Sequence, residues 1–354
     1  MKDAADAASE LSLLAATLDD AVPRLPATSR RYRIAGASVA IRAGNRAALL
    51  LEAFAPLGAV DDRAPATLDI FIFDAATDKV ELPDVAITRC PSNHEGEQRA
   101  VAAPGIRAFF QPEAGVLSLL DERRRRAYCW MRCAATLPYY EHAAPLRHIL
   151  QWWMLSRNGA LLHSAAVGAF GGGVLIAGPS GSGKSTTALA CQAAGLGFTS
   201  DDYVLVCGDA PPTVHMAYST AKVLRTSLSA HGAYRDHFRN LDRDDEKPML
   251  FMHEAAPERV LRSFPLRALV LPVVAKRSST RIVPATAAEL LRALAPSSIL
   301  LFPLAGAVAF RRMAALCRAV PCLRAELSED PCDVAEAFTR LLRDRAIAAE
   351  QAVA

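Results

Sequence analysis

The residues best placed to do chemistry lie between His163 and Asp202. The segment from Gly178 to Ser185 reads GPSGSGKS and fits the pattern G-x-x-x-x-G-K-[ST] in full. Gly178, Pro179, Ser180, Gly181, Ser182 and Gly183 form a loop whose three glycines let backbone N–H groups converge on phosphate oxygens with no side chain in the way. Lys184 is placed to reach β- and γ-phosphates, Ser185 to hold Mg²⁺, and Thr186 opens the following helix, whose N-terminus adds its positive end. Asp201 and Asp202 follow seventeen residues after Lys184. Two adjacent carboxylates beside phosphates can divide the work, one binding Mg²⁺ and the other accepting the proton of an attacking hydroxyl. A solvated or capped turn is the competing reading of the pair. His163, in LLHSAAVG, is by itself either a core histidine or a site residue.

The elements needed to position these groups are legible around them. A strand-like run, Gly173 to Ala177, precedes the loop, and a helix from Thr186 to Ala194, stopped at Gly195, follows it. After one further apolar stretch come Asp201, Asp202 and strand-like Tyr203 to Val206. Helical patterns return at 286–295, 305–318 and 331–349, an alternation that argues an α/β domain. Upstream, residues 30 to 140 alternate short apolar segments (YRIAGASVAI, AALLLEAFA, TLDIFIFDA, VLSLLDERRRRAYCWM) with turns, as in a smaller strand-rich α+β domain. A loop is expected around 91–105, a solvated hairpin turn at Arg123 to Arg126, and a boundary at PYYEHAAP, giving domains of 1–145 and 146–354. LRHILQWWMLSR (146–157) has helical spacing, with Trp152 and Trp153 filling a packed face.

His163, GVLIAGPSGSGKST, the helix and Asp201-Asp202, in that order and at those spacings, resemble the catalytic domain of the HPr kinase/phosphorylase family. The resemblance covers about 45 residues. It implies a P-loop fold of the type related to phosphoenolpyruvate carboxykinase, ATP and Mg²⁺ as cofactors, and transfer of the γ-phosphoryl group to a serine-type hydroxyl. It implies Asp201 as general base, Asp202 as its acidic neighbour and a metal ligand, Lys184 and Ser185 as phosphate and metal ligands, and His163 as an active-site histidine. Thr186 stands where the family commonly has Glu, and the downstream Gly-rich signature for HPr is absent. The chain is therefore closer to a divergent branch, some of whose members accompany lasso-peptide and other modified-peptide genes. A peptide or protein with a serine hydroxyl, such as a modified-peptide precursor, is the implied partner. A metabolite kinase and a non-catalytic nucleotide-binding module are the alternatives.

The bulk numbers set the remaining bounds. The chain has 354 residues, 52% of them hydrophobic and 22% charged, which suits two globular domains. The net charge of +3, without a basic tract interleaved with aromatics, calls for neither a nucleic acid nor a membrane, and leaves homo-oligomer formation open. The first 22 residues lack the basic-then-apolar order of a secretory signal, so a cytoplasmic protein is expected. The eight cysteines, from Cys90 to Cys332, form no CxxC pair and read as reduced thiols. Among 40 basic residues only six are lysines, at 2, 79, 184, 222, 247 and 276, so a retained Lys draws notice where Arg is the default. Lys222 is read as a surface residue or a second phosphate contact. The polar segment Arg225 to Pro248 is read as a closing lid or a solvated loop.

Overall fold

Residues 2–26, 28–60, 65–85, 87, 99–208 and 211–351 are described in this computed structural model. They divide into two units, one of residues 1–153 with 302–305 and the other of 154–301 with 306–354. Both are mixed α/β.

The first unit opens with α1 (Lys2–Ala21) and contains β1 (Thr28–Ile34), β2 (Ala37–Ala43), β3 (Leu68–Asp74), the short α2 (Ala75–Asp78), β4 (Arg99–Ala103), β5 (Ile106–Gln111), β6 (Val116–Asp121), β7 (Arg126–Met131), and the short α3 (Tyr139–Ala143). Its sheet runs β1-β2-β3-β7-β6-β5-β4, parallel only where β3 meets β2 and β7. Every residue of β6 is buried, so the sheet is covered on both faces. α1 covers one of them. Its Leu11, Leu14 and Leu18 recur at helical spacing and pack with Phe71, Phe73, Leu117 and Tyr128. Asp19 on the same helix accepts a hydrogen bond of 2.7 Å from the Tyr128 hydroxyl and pairs with Arg126.

Two expectations are corrected in this unit. AALLLEAFA is not a strand but part of a 3-10 helix, Ala47–Leu57. Its apolar residues come in runs rather than alternating, and Ala47, Leu50, Leu51, Ala53 and Phe54 are all buried. The loop expected around 91–105 gives way at Arg99 to β4, which pairs with β5 across a turn at Gly105 (φ +80°). Its RAVAA sequence has little β-propensity, and pairing rather than side-chain preference makes it a strand. Residues 91–98 of that expected loop, and Cys90, lie outside the described residues. The Arg123 to Arg125 turn is exposed as expected, built on Asp121, whose carboxylate accepts the N–H groups of Arg123 and Arg124 at 3.0 Å each.

The chain passes from one unit to the other within α4 (Arg147–Leu155), between Trp153 and Met154; the sequence places the break at 145. Trp152 and Trp153 are buried, and the Trp152 indole donates to Pro303 O at 2.9 Å. The second unit holds β8 (Gly159–Leu162), β9 (Ala165–Ala169), β10 (Gly172–Ile176), α5 (Lys184–Ala193), β11 (Gly197–Ser200), β12 (Val204–Cys207), β13 (Thr213–Met216), β14 (Thr220–Lys222), β15 (Met249–Phe251), the short α6 (Met252–Ala255), β16 (Ser263–Arg277), β17 (Arg281–Pro284), α7 (Ala287–Ile299), α8 (Gly306–Ala319), β18 (Cys322–Ser328) and α9 (Pro331–Gln351). The nine-stranded sheet runs β11-β9-β10-β16-β13-β12-β8, with β18 joining β16 and β17 joining β18. The long β16 organises it, running parallel to β10 and β18 and antiparallel to β13. Val174 and Ile176 of β10, Ala188 and Leu189 of α5, and Phe338 and Leu342 of α9 share one apolar core. β14 and β15 form a separate two-stranded ribbon.

Among the described residues no helix is long and apolar enough to cross a membrane. The described cysteines are all free. Burial pushes the Cys191 thiol up to about 12, so this thiol is a packing group and not a nucleophile.

Candidate functional site

β10 ends at Ile176, and the chain turns through Gly178–Gly183 directly into α5. Two glycines of this loop hold left-handed backbone, Gly181 at φ +80° and Gly183 at φ +100°. Gly178 is constrained by packing instead, since a Cβ there would meet Ser182 Oγ at 2.5 Å and Ser182 Cβ at 3.1 Å, so that Ser182 would have to move. Lys184, 7% exposed, folds back over the loop and donates to Gly178 O at 2.8 Å and Pro179 O at 3.0 Å. Burial lowers the pKa of its ammonium, Asp201 and Asp202 oppose that, and Lys247 adds to it.

Asp201 and Asp202 leave the end of β11 on a bend made by Ser200, whose hydroxyl accepts the N–H groups of Asp202 at 3.4 Å and Tyr203 at 3.3 Å. The pair is not a solvated turn, for the two residues are 3% and 8% exposed. Their environments diverge sharply. Asp201 Oδ2 accepts the Lys222 N–H at 2.9 Å, and Ser185 hydrogen-bonds the same carboxylate. Asp201 Oδ1 is buried with no protein partner. Desolvation raises the Asp201 pKa, outweighing the hydrogen bonds from Lys222 and Ser185. Asp202 Oδ1 lies 3.0 Å from His163 Nε2, and Asp202 Oδ2 accepts from Lys222 Nζ at 2.6 Å. Burial works to raise Asp202 as well, but the Lys222 charge and the His163 contact override it and hold the carboxyl well below the usual range.

His163 follows the last residue of β8. Its backbone N–H donates to Ser298 Oγ at 3.1 Å, its ring packs by Tyr203 with centroids 5.3 Å apart, and Nδ1 is buried without a protein partner. His163, Ser180, Gly181, Gly183, Lys184, Ser185, Thr186, Asp201 and Asp202 all line one cavity of about 360 Å³. Pro179 is tied to it through its carbonyl on Lys184. Ser185 meets Asp201 and not Asp202, the carboxylate that the sequence pairs with it as a metal ligand.

Apart from Leu189 of α5 and Val274 of β16, the remaining cavity residues come from the end of β14 and the stretch that leads to β15. Lys222 is not a surface lysine: its side chain is 22% exposed, and its single residue bonds both carboxylates, Asp201 by the backbone and Asp202 by the ammonium. Ser227, His231 and Lys247 line the wall as well. The sequence marks Lys247 only as one of six lysines and places all three in the polar segment Arg225 to Pro248 without assigning any of them to the site. The scarcity of lysine was the available signal, and three of the six lysines converge here. A second cavity, about 60 Å³ under α8, contains none of these groups.

The donor set can be tested against a divalent ion. Among the described residues no cluster of three or more His, Cys, Asp or Glu is gathered that could hold one unaided. The open Oδ1 of Asp201 and the nearby Ser185 hydroxyl fit an ion that takes most of its ligands from phosphate and water, as Mg²⁺ does.

No family model matches the chain, and no curated protein does. A solved structure of the Hpr(Ser) kinase/phosphatase from Coxiella burnetii overlaps 54% of this chain and 98% of its own, at 10% sequence identity and a TM-score of 0.30, a loose likeness that assigns no role to any residue.

Proposed function

We propose that the second unit is an ATP-dependent, Mg²⁺-requiring kinase that transfers the γ-phosphoryl group to a serine-type hydroxyl of a peptide or protein. The observation that carries this reading is the buried, unpartnered Oδ1 of Asp201 in the same cavity as the Gly178–Ser185 loop. A buried carboxylate with a raised pKa and one open oxygen is suited to accept a hydroxyl proton. In the proposed step the acceptor oxygen forms a bond to the γ-phosphorus as its proton passes to Asp201. The bond from phosphorus to the β,γ-bridging oxygen breaks, and ADP leaves. Lys184, freed from the loop carbonyls, meets the β- and γ-phosphates, whose oxygens take the N–H groups of the P-loop. His163 fixes the orientation of Asp202. Ser185, beside the Asp201 carboxylate, would hold Mg²⁺, which when bound would neutralise phosphate charge.

The test is mass spectrometry of candidate peptides incubated with the protein, ATP and Mg²⁺, beside an Asp201→Asn control. The reading expects added phosphate (about 80 Da) on serine, absent with the variant. Phosphate on a free metabolite but on no peptide would overturn the choice of acceptor, and transfer undiminished in the variant would overturn the role of Asp201.

A further inference from the structure

Each ammonium in the cavity except one has a partner. Lys184 is held by Gly178 O and Pro179 O, and Lys222 by Asp202. Lys247, exposed at the cavity wall, has no ion pair or side-chain hydrogen bond among the described residues. Its neighbour Glu246 does not neutralise it, being engaged by Asn240 Nδ2 at 3.2 Å and Arg243 at 3.3 Å.

Lys247 nevertheless stands on an organised backbone. Asn240, at φ +51°, donates its amide to Lys247 O at 2.9 Å and accepts the Met249 N–H at 3.2 Å. The Arg225 guanidinium grips the same turn, donating to Leu241 O and Asn240 O at 3.2 Å each and also to Arg243 O. The base of Lys247 is therefore fixed at the start of β15 while its charge is left unspent. Its field reaches far enough to depress Lys184. His231, on the same wall, has its pKa lowered by burial and adds no competing cation at neutral pH.

We propose that Lys247 completes the phosphate site from the segment between β14 and β15, contacting the outermost phosphate, so that the site distinguishes a nucleoside triphosphate from a diphosphate. The proposal rests on the nucleotide-binding part of the reading above. The P-loop amides and Lys184 meet the phosphates from the loop, and Lys247, the one ammonium of the cavity left uncompensated, lines the same cavity and adds a second charge for the γ-phosphate that a diphosphate lacks. The polar segment between β14 and β15 thus contributes a ligand contact and not only a cover.

Isothermal titration calorimetry of the full chain with Mg²⁺ and either ADP or the imido analogue of ATP tests it, on the native protein, Lys247→Ala and Lys247→Arg. Lys247→Ala is expected to weaken the analogue about tenfold or more while changing ADP by less than about threefold, and Lys247→Arg to recover most of the loss. An equal change for both nucleotides, or none, overturns the inference while leaving the nucleotide site standing. Failure of the native protein to bind either nucleotide overturns both. Unfolding midpoints of the three proteins, expected to agree, show that any difference is local.

Discussion

Each unit contains a buried, charged cluster, and the two are built on opposite plans. In the first, Glu141 is 5% exposed and fully satisfied. Arg147 donates to both its oxygens, at 2.6 and 2.8 Å, Gln111 Nε2 donates at 3.0 Å, and Arg147 returns to Gln111 Oε1 at 3.2 Å. In the second, Asp201 Oδ1 and His163 Nδ1 are buried without protein partners on residues that line one cavity. A closed network holds a fold together, whereas buried polar atoms left open carry a standing cost that a ligand can remove. Burial of charge therefore does not separate the two clusters; what separates them is that the second leaves Asp201 Oδ1 open in the cavity beside the Gly178–Ser185 loop.

That contrast can be broken experimentally, and the largest effect should come from the open cluster. Asp201→Asn is expected to lower transfer by about 10²- to 10⁴-fold in a phosphate-transfer assay with nucleotide affinity nearly unchanged. The same change should leave the protein no less stable at neutral pH, because Asp201 is a carboxyl whose folded pKa is raised. Ionising it opposes folding above its unfolded pKa, and Asn removes that opposition. Arg147→Met in the closed cluster should do the reverse. It strands Glu141 and is expected to cost about 3–5 kcal/mol in urea unfolding, without altering turnover per folded molecule.

Lys222→Met sits between the two. With side chains 22% and 11% exposed, its pair with Asp202 is wetter than that of Arg147, and the expected loss is about 1–3 kcal/mol at pH 7. The smallest effect sharpens the comparison through pH. Asp202 has a depressed folded pKa, so its contribution is present above the unfolded carboxyl value and is lost as pH falls through the folded one. The gap in stability between native protein and Lys222→Met should accordingly narrow on acidification, and a gap that stays constant would show that Asp202 is not held by this lysine.

How far this was legible in the sequence follows the range of the interactions. The Gly178–Ser185 loop, the helix after it and the three C-terminal helices rest on local rules, and the structure has them at nearly the expected residues. α1 was missed although Leu11, Leu14 and Leu18 carry its period, because scattered acids and alanines obscure the stripe. β4 was missed because its alanines gain strand character only from β5. The cavity wall was hardest to see. Lys222 and Lys247 arrive through pairing of β14 with β15, which sets Lys222 opposite Met249, and no local pattern announces it. The unlike environments of two adjacent aspartates are likewise set by partners distant in sequence.

Lys222 also sets a constraint on how this site can change. Its N–H holds one carboxylate and its ammonium the other, so the separation of the two acids is yoked to the covalent frame of one residue. Side-chain substitution at 222 removes its contact with Asp202 alone, leaving His163 on that acid; only proline, which has no N–H, would remove the contacts of residue 222 with both. Variation in this position can therefore retune one acid while the other keeps its station, and any shift of the β14–β15 ribbon must carry the pair together.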